Sequence, residues 1–209
     1  MLTEEEYITL HSSPQPDTLA ALYRHTHLTR LYPRMCCDPL QGRLLVMLTR
    51  MIRPRRILEL GTFSGYSSLC FAEGMPADAQ LHTVEIDDEA EHALREVFDA
   101  SPWADRIHLH IGDAMDVVPH LGGSFDLVYI DANKRIYTDY YEMVKPLVPP
   151  GGFIFADNTL WSDAVLDPDA KHDAQTLGIR RFNDLVAADP DVEQVILPLY
   201  DGLTLIRKK

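Results

Sequence analysis

Three residues in the second half of the chain, Asp131, Asp157 and Asn158, have the types and positions to bind a hard metal ion. Asp131 directly follows the apolar run Leu127–Ile130, and the other two directly follow the run 153–156. If these runs are neighbouring parallel strands, the three side chains meet at one edge of the sheet, where ligand sites form. Carboxylate and amide oxygens suit Mg²⁺, Mn²⁺ or Ca²⁺ and suit soft metals poorly. A single Asp at such a position is more often a cap or a turn, so the hypothesis depends on all three.

A glycine turn and two acidic residues in the first half of the chain could bind a nucleoside. Gly61 and Gly65 follow an apolar run with G-x-x-x-G spacing, which lets backbone approach a ligand but does not match the dinucleotide motif G-x-G-x-x-G. A plain tight turn explains that spacing equally well. Glu85 ends the next run, where a carboxylate can accept both hydroxyls of a ribose. Asp113 ends a third run and could accept from an adenine amino group or simply cap the next helix.

The elements that must position these residues form an alternating pattern after residue 55. Strands are predicted at 57–60, 81–86, 107–111, 127–130 and 153–156. Helices are predicted near 64–73, 88–100, 114–120, 134–147 and 172–188. This alternation indicates a parallel sheet covered on both faces, while the closely spaced runs 192–197 and 203–206 predict an antiparallel hairpin. Residues 1–55 have helical spacing, beginning with a capping box at Thr3 and Glu6, so we predict one domain with a helical cap at 1–55 and a core at 56–209.

Composition argues against several function classes. The net charge of −13 disfavours non-specific binding to nucleic acid or an anionic membrane, and no apolar run approaches the roughly 20 residues of a membrane span. Cys36, Cys37 and Cys70 lack metal-type spacing, which favours reduced thiols in a cytoplasmic protein. His108 and His110 share a strand face, but nothing nearby in the sequence completes a zinc site, so we expect ordinary strand residues.

Taken in order, these segments resemble the cation-dependent class I S-adenosylmethionine-dependent O-methyltransferases, the caffeoyl-CoA and catechol O-methyltransferase group. The matching strings lie between about residues 35 and 207: LELGTFSGYSS, VEIDDEA, GDA, FDLVYIDANKRIYTDYY, GGFIFADNTLW and DGLTLIRK. The resemblance implies an α/β, Rossmann-like, doubly wound and mostly parallel seven-stranded sheet, with helices on both faces, an antiparallel C-terminal hairpin and N-terminal helices. It also implies a homodimer.

The resemblance assigns roles to individual residues. Contacts to S-adenosylmethionine are implied for Met35, Cys37, Glu59, Gly61, Thr62, Ser67, Glu85, Asp113, Ala114 and Asp131. Asp131, Asp157 and Asn158 would hold the divalent cation, Mg²⁺ in the first place and Mn²⁺ or Ca²⁺ otherwise. Lys134 matches the general base and would face the substrate. Independently of the resemblance, Trp161, Tyr137 and Tyr141 could stack on an aromatic acceptor, although an aromatic at helix or loop spacing is more often part of the core. Many relatives have Asp where this chain has Asn133, a position we expect to lie behind the site or in solvent.

The leading hypothesis is an enzyme that methylates one of two adjacent hydroxyls on a small aromatic molecule. One alternative is a tRNA methyltransferase acting on a hydroxylated wobble uridine. The net charge opposes this alternative, although Arg53, Arg55 and Arg56 could form a local basic patch. Another alternative is a non-catalytic protein that binds the same cofactor on the same fold, because fold alone does not fix function.

Overall fold

The computed structural model describes residues 2–170 and 173–209, and its first part is a group of helices. They are α1 (Glu4–His11), α2 (Asp17–Thr29) and α3 (Pro39–Ile52). The helix α1 begins at the predicted capping box, where Thr3 Oγ1 accepts the Glu6 N–H at 3.1 Å and Glu6 Oε2 accepts the Thr3 N–H at 2.8 Å. The helix α3 begins with Pro39 in its first turn, after Asp38 accepts the Leu40 N–H at 2.9 Å.

A seven-stranded sheet follows. Its strands are β1 (Arg56–Leu60), β2 (Gln80–Glu85), β3 (Ile107–Ile111), β4 (Leu127–Ile130), β5 (Phe153–Asp157), β6 (Val192–Leu197) and β7 (Leu203–Lys208). The strand order is β3-β2-β1-β4-β5-β7-β6, with β1 to β5 parallel and β7 antiparallel to both of its neighbours. This confirms the predicted doubly wound, mostly parallel sheet with an antiparallel pair at the C-terminal end.

Helices cover both faces of this sheet. Both faces carry side chains to be buried, because successive side chains of each strand point to opposite sides. Besides the N-terminal group they are α4 (Tyr66–Gly74), α5 (Glu91–Asp99), α6 (Ala114–Val117), α7 (Tyr137–Val144) and α8 (Ala174–Ala188). On one side α2, α3, α4 and α5 pack over Ile57 and Leu81. On the other side α6, α7 and α8 pack over Leu58 and Val128.

Two predicted helices are shorter in the structure because prolines interrupt them. The helix expected at 114–120 ends as the 3₁₀ turn Val118–His120, which contains Pro119, and the one expected at 134–147 ends as the turn Lys145–Leu147, which contains Pro146. The helix expected from His172 is described from Ala174 onwards, since His172 lies outside the described residues. Over those residues no helix combines the length and the apolar character needed to cross a bilayer.

The strand order reverses between β1 and β4, which creates a crevice at the carboxyl ends of the parallel strands. Gly61 makes the closest backbone approach there. Its φ is +95°, and a Cβ atom on it would lie 2.1 Å from the Asp131 carbonyl oxygen. Only glycine therefore allows the loop after β1 to lie against the end of β4.

Candidate functional site

Glu85 joins the end of β2 to the loop after β1. Its Oε2 accepts the backbone N–H groups of Thr62 at 3.1 Å and Phe63 at 2.7 Å, and its Oε1 accepts that of Asp87 at 2.9 Å. The residue is 7% exposed at the carboxyl edge of the sheet. Because a carboxylate offers about four lone-pair positions, Glu85 keeps the capacity to accept a further hydrogen bond from a ligand.

Glu59 is hydrogen-bonded to residues that lie next to the same loop. Its carboxylate accepts hydrogen bonds from Ser67 Oγ at 2.6 Å, from Thr83 Oγ1 at 2.7 Å and from the Ser68 hydroxyl. Burial raises the pKa of Glu59 to about 7, against the lowering effect of these hydroxyl donors. The residue has no exposed surface and ties β1, β2 and the start of α4 together, and a contact with the cofactor stays a prediction.

Asp131 and Asp157 stand side by side, because Ile130 pairs with Ala156 in the register of β4 and β5. Asp157 Oδ1 accepts the Asn158 N–H at 2.8 Å. Burial, followed by the nearby charge of Asp131, raises the pKa of Asp157 to about 6. Two adjacent carboxylates that disfavour each other's charge are a donor set that fits a hard cation.

Asn158 follows Asp157 directly, and its side-chain amide could add a third oxygen to this set. Its backbone lies in the left-handed region at φ +58°, which asparagine tolerates better than most residues. Its side-chain amide makes no hydrogen bond with any described residue. In residues 2–170 and 173–209 no group of three or more His, Cys, Asp or Glu side chains could hold a metal ion. A cation at this edge therefore depends on the Asn158 amide oxygen beside the two carboxylates.

Lys134 lies beside the carboxylate pair. It begins the 3₁₀ turn Lys134–Ile136, and its Nζ donates to Asp131 Oδ1 at 2.6 Å. The residue is buried, and the Nζ atom lies 5.1 Å from the centre of the Tyr137 ring. The amine is therefore held at the crevice between a carboxylate and an aromatic face.

Tyr137 takes the core position, one of the two roles that its spacing allowed. It is completely buried, and its hydroxyl lies 3.1 Å from the Ile130 carbonyl oxygen and 3.0 Å from that of Asp157. Tyr137 therefore connects the ends of β4 and β5, and a contact with the acceptor stays a prediction. Trp161 is only partly buried, and its Nε1 donates to Asp173 Oδ2 at 3.4 Å.

The segment before α3 reaches the same loop. Cys36 Sγ lies 3.7 Å from Ser64 Oγ, while Met35, in the turn Pro33–Met35, is 58% exposed. Burial raises the pKa of the Cys37 thiol well above its usual range, and the charges of Asp157 and Asp131 add to this effect. Cys37 therefore stays a neutral thiol near the carboxylates.

Asp113 and Ala114 follow β3 on the other side of Glu85. The Gly112 N–H donates to the Glu85 carbonyl oxygen at 2.8 Å, so the end of β3 lies next to the end of β2. Asp113 Oδ1 accepts the Met115 N–H at 2.8 Å and caps α6. The structure thus shows the capping role, and a contact to adenine stays a prediction.

Sequence reasoning missed two donors to Asp157. Gln41 Nε2 donates to Asp157 Oδ2 at 2.6 Å, and the Tyr129 hydroxyl donates to the same atom at 2.5 Å. A partner for Tyr129 could have been expected from the sequence, because a hydroxyl in an otherwise apolar buried strand needs a hydrogen-bond partner. Nothing in the sequence indicated the contact of Gln41, since its partner is 116 residues away.

The doubly wound sheet, with a glycine turn after β1 and an acidic residue at the end of β2, defines a Rossmann-like nucleoside-binding protein. The family model described as O-methyltransferase matches residues 9–209. The catechol O-methyltransferase of Niastella koreensis is 34% identical over 83% of this chain and 82% of its own length. The caffeoyl-CoA O-methyltransferase 1 of Eucalyptus globulus is 33% identical over 90% of this chain and 88% of its own.

A solved structure agrees with these relatives. The O-methyltransferase TomG of Streptomyces achromogenes, involved in tomaymycin synthesis and solved in complex with SAM, superposes with a TM-score of 0.90. It is 30% identical, and the match covers 100% of both chains. The chain belongs to the O-methyltransferase family, and it is an enzyme that transfers a methyl group from S-adenosylmethionine to an oxygen atom.

Proposed function

We propose that this enzyme methylates one hydroxyl of a small catechol-like acceptor, an aromatic ring with two adjacent hydroxyls, in a reaction that needs a divalent cation. The observation that carries the proposal is that Asp131 and Asp157 lie at the ends of the paired strands β4 and β5, with Asn158 next in the chain and the Lys134 amine 2.6 Å from Asp131 Oδ1. Relatives named for catechol and for caffeoyl-CoA support an acceptor of this kind.

The cofactor is proposed to lie along the ends of β1, β2 and β3. In this arrangement Glu85 accepts hydrogen bonds from the ribose hydroxyls, and Asp113 and Ala114 lie beside the adenine. The methionine part contacts residues around the loop after β1, namely Met35, Cys37, Gly61, Thr62, Ser67 and Asp131. Where the side chain of such a residue is buried, the contact is made by its backbone atoms. Glu59 contributes by holding that loop in place.

Asp131, Asp157 and Asn158 are the proposed ligands of the cation. Their oxygens suit Mg²⁺, and Mn²⁺ or Ca²⁺ would fit the same donors. When bound, the ion would lower the pKa of the acceptor hydroxyls and fix their position. The Lys134 ammonium alone cannot balance two carboxylates, which supports a further positive charge at this edge.

Lys134 is the proposed base. In its neutral form it takes the proton of the attacking hydroxyl, while Asp131 and the Tyr137 ring hold its position. The oxygen forms a bond to the methyl carbon as the carbon–sulfur bond breaks, which leaves a methyl ether and S-adenosylhomocysteine. The chain contributes chiefly alignment, because this displacement requires oxygen, carbon and sulfur in line.

Trp161 is the proposed aromatic contact of the acceptor. Part of its ring is exposed, and its hydrogen bond to Asp173, the residue that caps α8, restricts its orientation. A stacked acceptor ring would gain from such a fixed aromatic surface.

Two further expectations belong to this proposal. The resemblance to the family favours a homodimer, which sedimentation at several protein concentrations will test. Three free cysteines in the structure agree with a reducing, cytoplasmic environment.

An assay of methyl transfer from labelled S-adenosylmethionine tests the proposal. The acceptors are a panel of catechols and total tRNA, each with Mg²⁺ and with EDTA. We expect catechol turnover that requires Mg²⁺ or Mn²⁺, and little labelling of tRNA because the acidic chain offers no broad phosphate-binding face. Labelling of tRNA without turnover of any catechol would replace this proposal with the wobble-uridine alternative.

A further inference from the structure

Asp157 has one oxygen committed to the protein interior. Its Oδ2 accepts hydrogen bonds from Gln41 Nε2 at 2.6 Å and from the Tyr129 hydroxyl at 2.5 Å, while Oδ1 accepts the neighbouring Asn158 N–H at 2.8 Å. Two short side-chain donors on the same oxygen fix the rotation of the carboxylate. Oδ2 is thereby committed to these two donors, and Oδ1 lies on the side of Asn158.

Both donors are rigidly placed. Gln41 and Tyr129 are buried, with 4% and 0% of their surface exposed. Tyr129 lies in the middle of β4, and its ring packs edge-on against Phe71 at a centroid distance of 5.2 Å. Gln41 lies in the first turn of α3, which Asp38 caps. The hydrogen bonds to Asp157 therefore connect the helical cap to the edge of the sheet.

We propose that Gln41 and Tyr129 are positioning residues that orient the Asp157 carboxylate for cation binding. This inference rests on the proposed cation site. Partners of a metal-binding group commonly change metal affinity by about 10–100-fold when they are removed, because the ligand loses its orientation. Because Gln41 lies in α3, a movement of α3 relative to the sheet would also reorient the Asp157 carboxylate.

The test measures Mn²⁺ binding by electron paramagnetic resonance of the full chain in the presence of S-adenosylhomocysteine. The variants are Gln41→Met and Tyr129→Phe, which keep the shape of each side chain and remove its donor. Tyr141→Phe is the matched control, because the Tyr141 hydroxyl is also buried and donates to a carboxylate, Asp189 Oδ2 at 2.9 Å, away from the site. Calorimetry with S-adenosylhomocysteine measures whether the cofactor site remains intact.

We expect both variants to weaken Mn²⁺ binding by about tenfold or more. Binding of S-adenosylhomocysteine should stay unchanged, and the Tyr141→Phe control should bind Mn²⁺ like the wild type. Unchanged Mn²⁺ affinity in both variants would overturn the inference and leave the cation site standing. No Mn²⁺ binding by the wild-type chain would overturn the cation site, and the inference with it.

Discussion

A Cβ atom on Gly178 would lie 2.2 Å from the carbonyl oxygen of Lys134. The helix α8 thus packs directly on the turn that carries the proposed base, and only glycine permits this contact. The position of the Lys134 amine consequently depends on a residue that does not reach the crevice.

Gly178→Ala should therefore lower kcat more than it lowers cofactor affinity. The added methyl group must displace the turn, and a displacement of about 1 Å at a reacting group can cost about 10²-fold in rate. Steady-state kinetics and calorimetry with S-adenosylhomocysteine measure the two effects. Gly74→Ala is the matched control, since its Cβ would lie 2.8 Å from the Val46 carbonyl oxygen, in a helix contact away from Lys134. An equal loss of kcat in both variants would contradict the assigned role.

Glu85→Ala should weaken S-adenosylmethionine binding by about 1–3 kcal/mol, because it removes a charged acceptor of buried hydrogen bonds. The same substitution also releases the Thr62 and Phe63 N–H groups. Glu85→Gln keeps the shape and one acceptor oxygen, so it should lose less affinity. Calorimetry measures both variants, and wild-type affinity in Glu85→Ala would remove the ribose assignment.

Lys134→Met should lower kcat by about 10²–10⁴-fold, the usual contribution of a positioned acid–base group. Cofactor affinity should change little, because the Lys134 amine contacts Asp131 Oδ1 and leaves Oδ2 available. Single-turnover kinetics with saturating cofactor separates the chemical step from binding. A variant that keeps the wild-type rate of this step would exclude Lys134 as the base.

The stability of the fold should decrease between about pH 6.5 and pH 4 because of His82. Its Nδ1 lies 3.1 Å from His110 Nε2, its ring centre lies 4.8 Å from that of His108, and its Nε2 lies 3.3 Å from the Arg56 guanidinium. Burial, followed by the charges of His108 and Arg56, lowers the pKa of His82 to about 4. The unfolded chain therefore takes up a proton at a higher pH than the folded chain does, which favours unfolding as the pH falls.

Urea denaturation at pH 7 and pH 5 measures this effect. His82→Asn should lose less stability between the two pH values than the wild type does. His120→Asn is the control, because His120 lies on an exposed turn, where its Nδ1 lies 2.8 Å from the Asp116 carbonyl oxygen. The same pH dependence in wild type and His82→Asn would contradict the prediction.

The sequence predicted the placement of residues that follow strands better than the placement of buried polar groups. Asp131 and Asp157 could be placed together because the carboxyl ends of parallel strands share one edge. For Tyr137 the sequence left both a stacking role and a core position open, because helical spacing does not show which face of a short helix is buried. The contact of Gln41 with Asp157 joins residues 116 positions apart, and the contact of His82 with His108 depends on the register of β2 and β3.

The most direct test of the central claim compares kcat/KM for a catechol with kcat/KM for the matched monophenol. Both values are measured with Mg²⁺ and again after chelation with EDTA. In the proposed mechanism, a cation held by Asp131, Asp157 and Asn158 would bind both adjacent oxygens of the acceptor. We therefore predict rapid methylation of the catechol with Mg²⁺, far slower methylation of the monophenol, and no turnover of either after chelation. Equal rates on the two acceptors, or full activity after exhaustive chelation, would contradict the account.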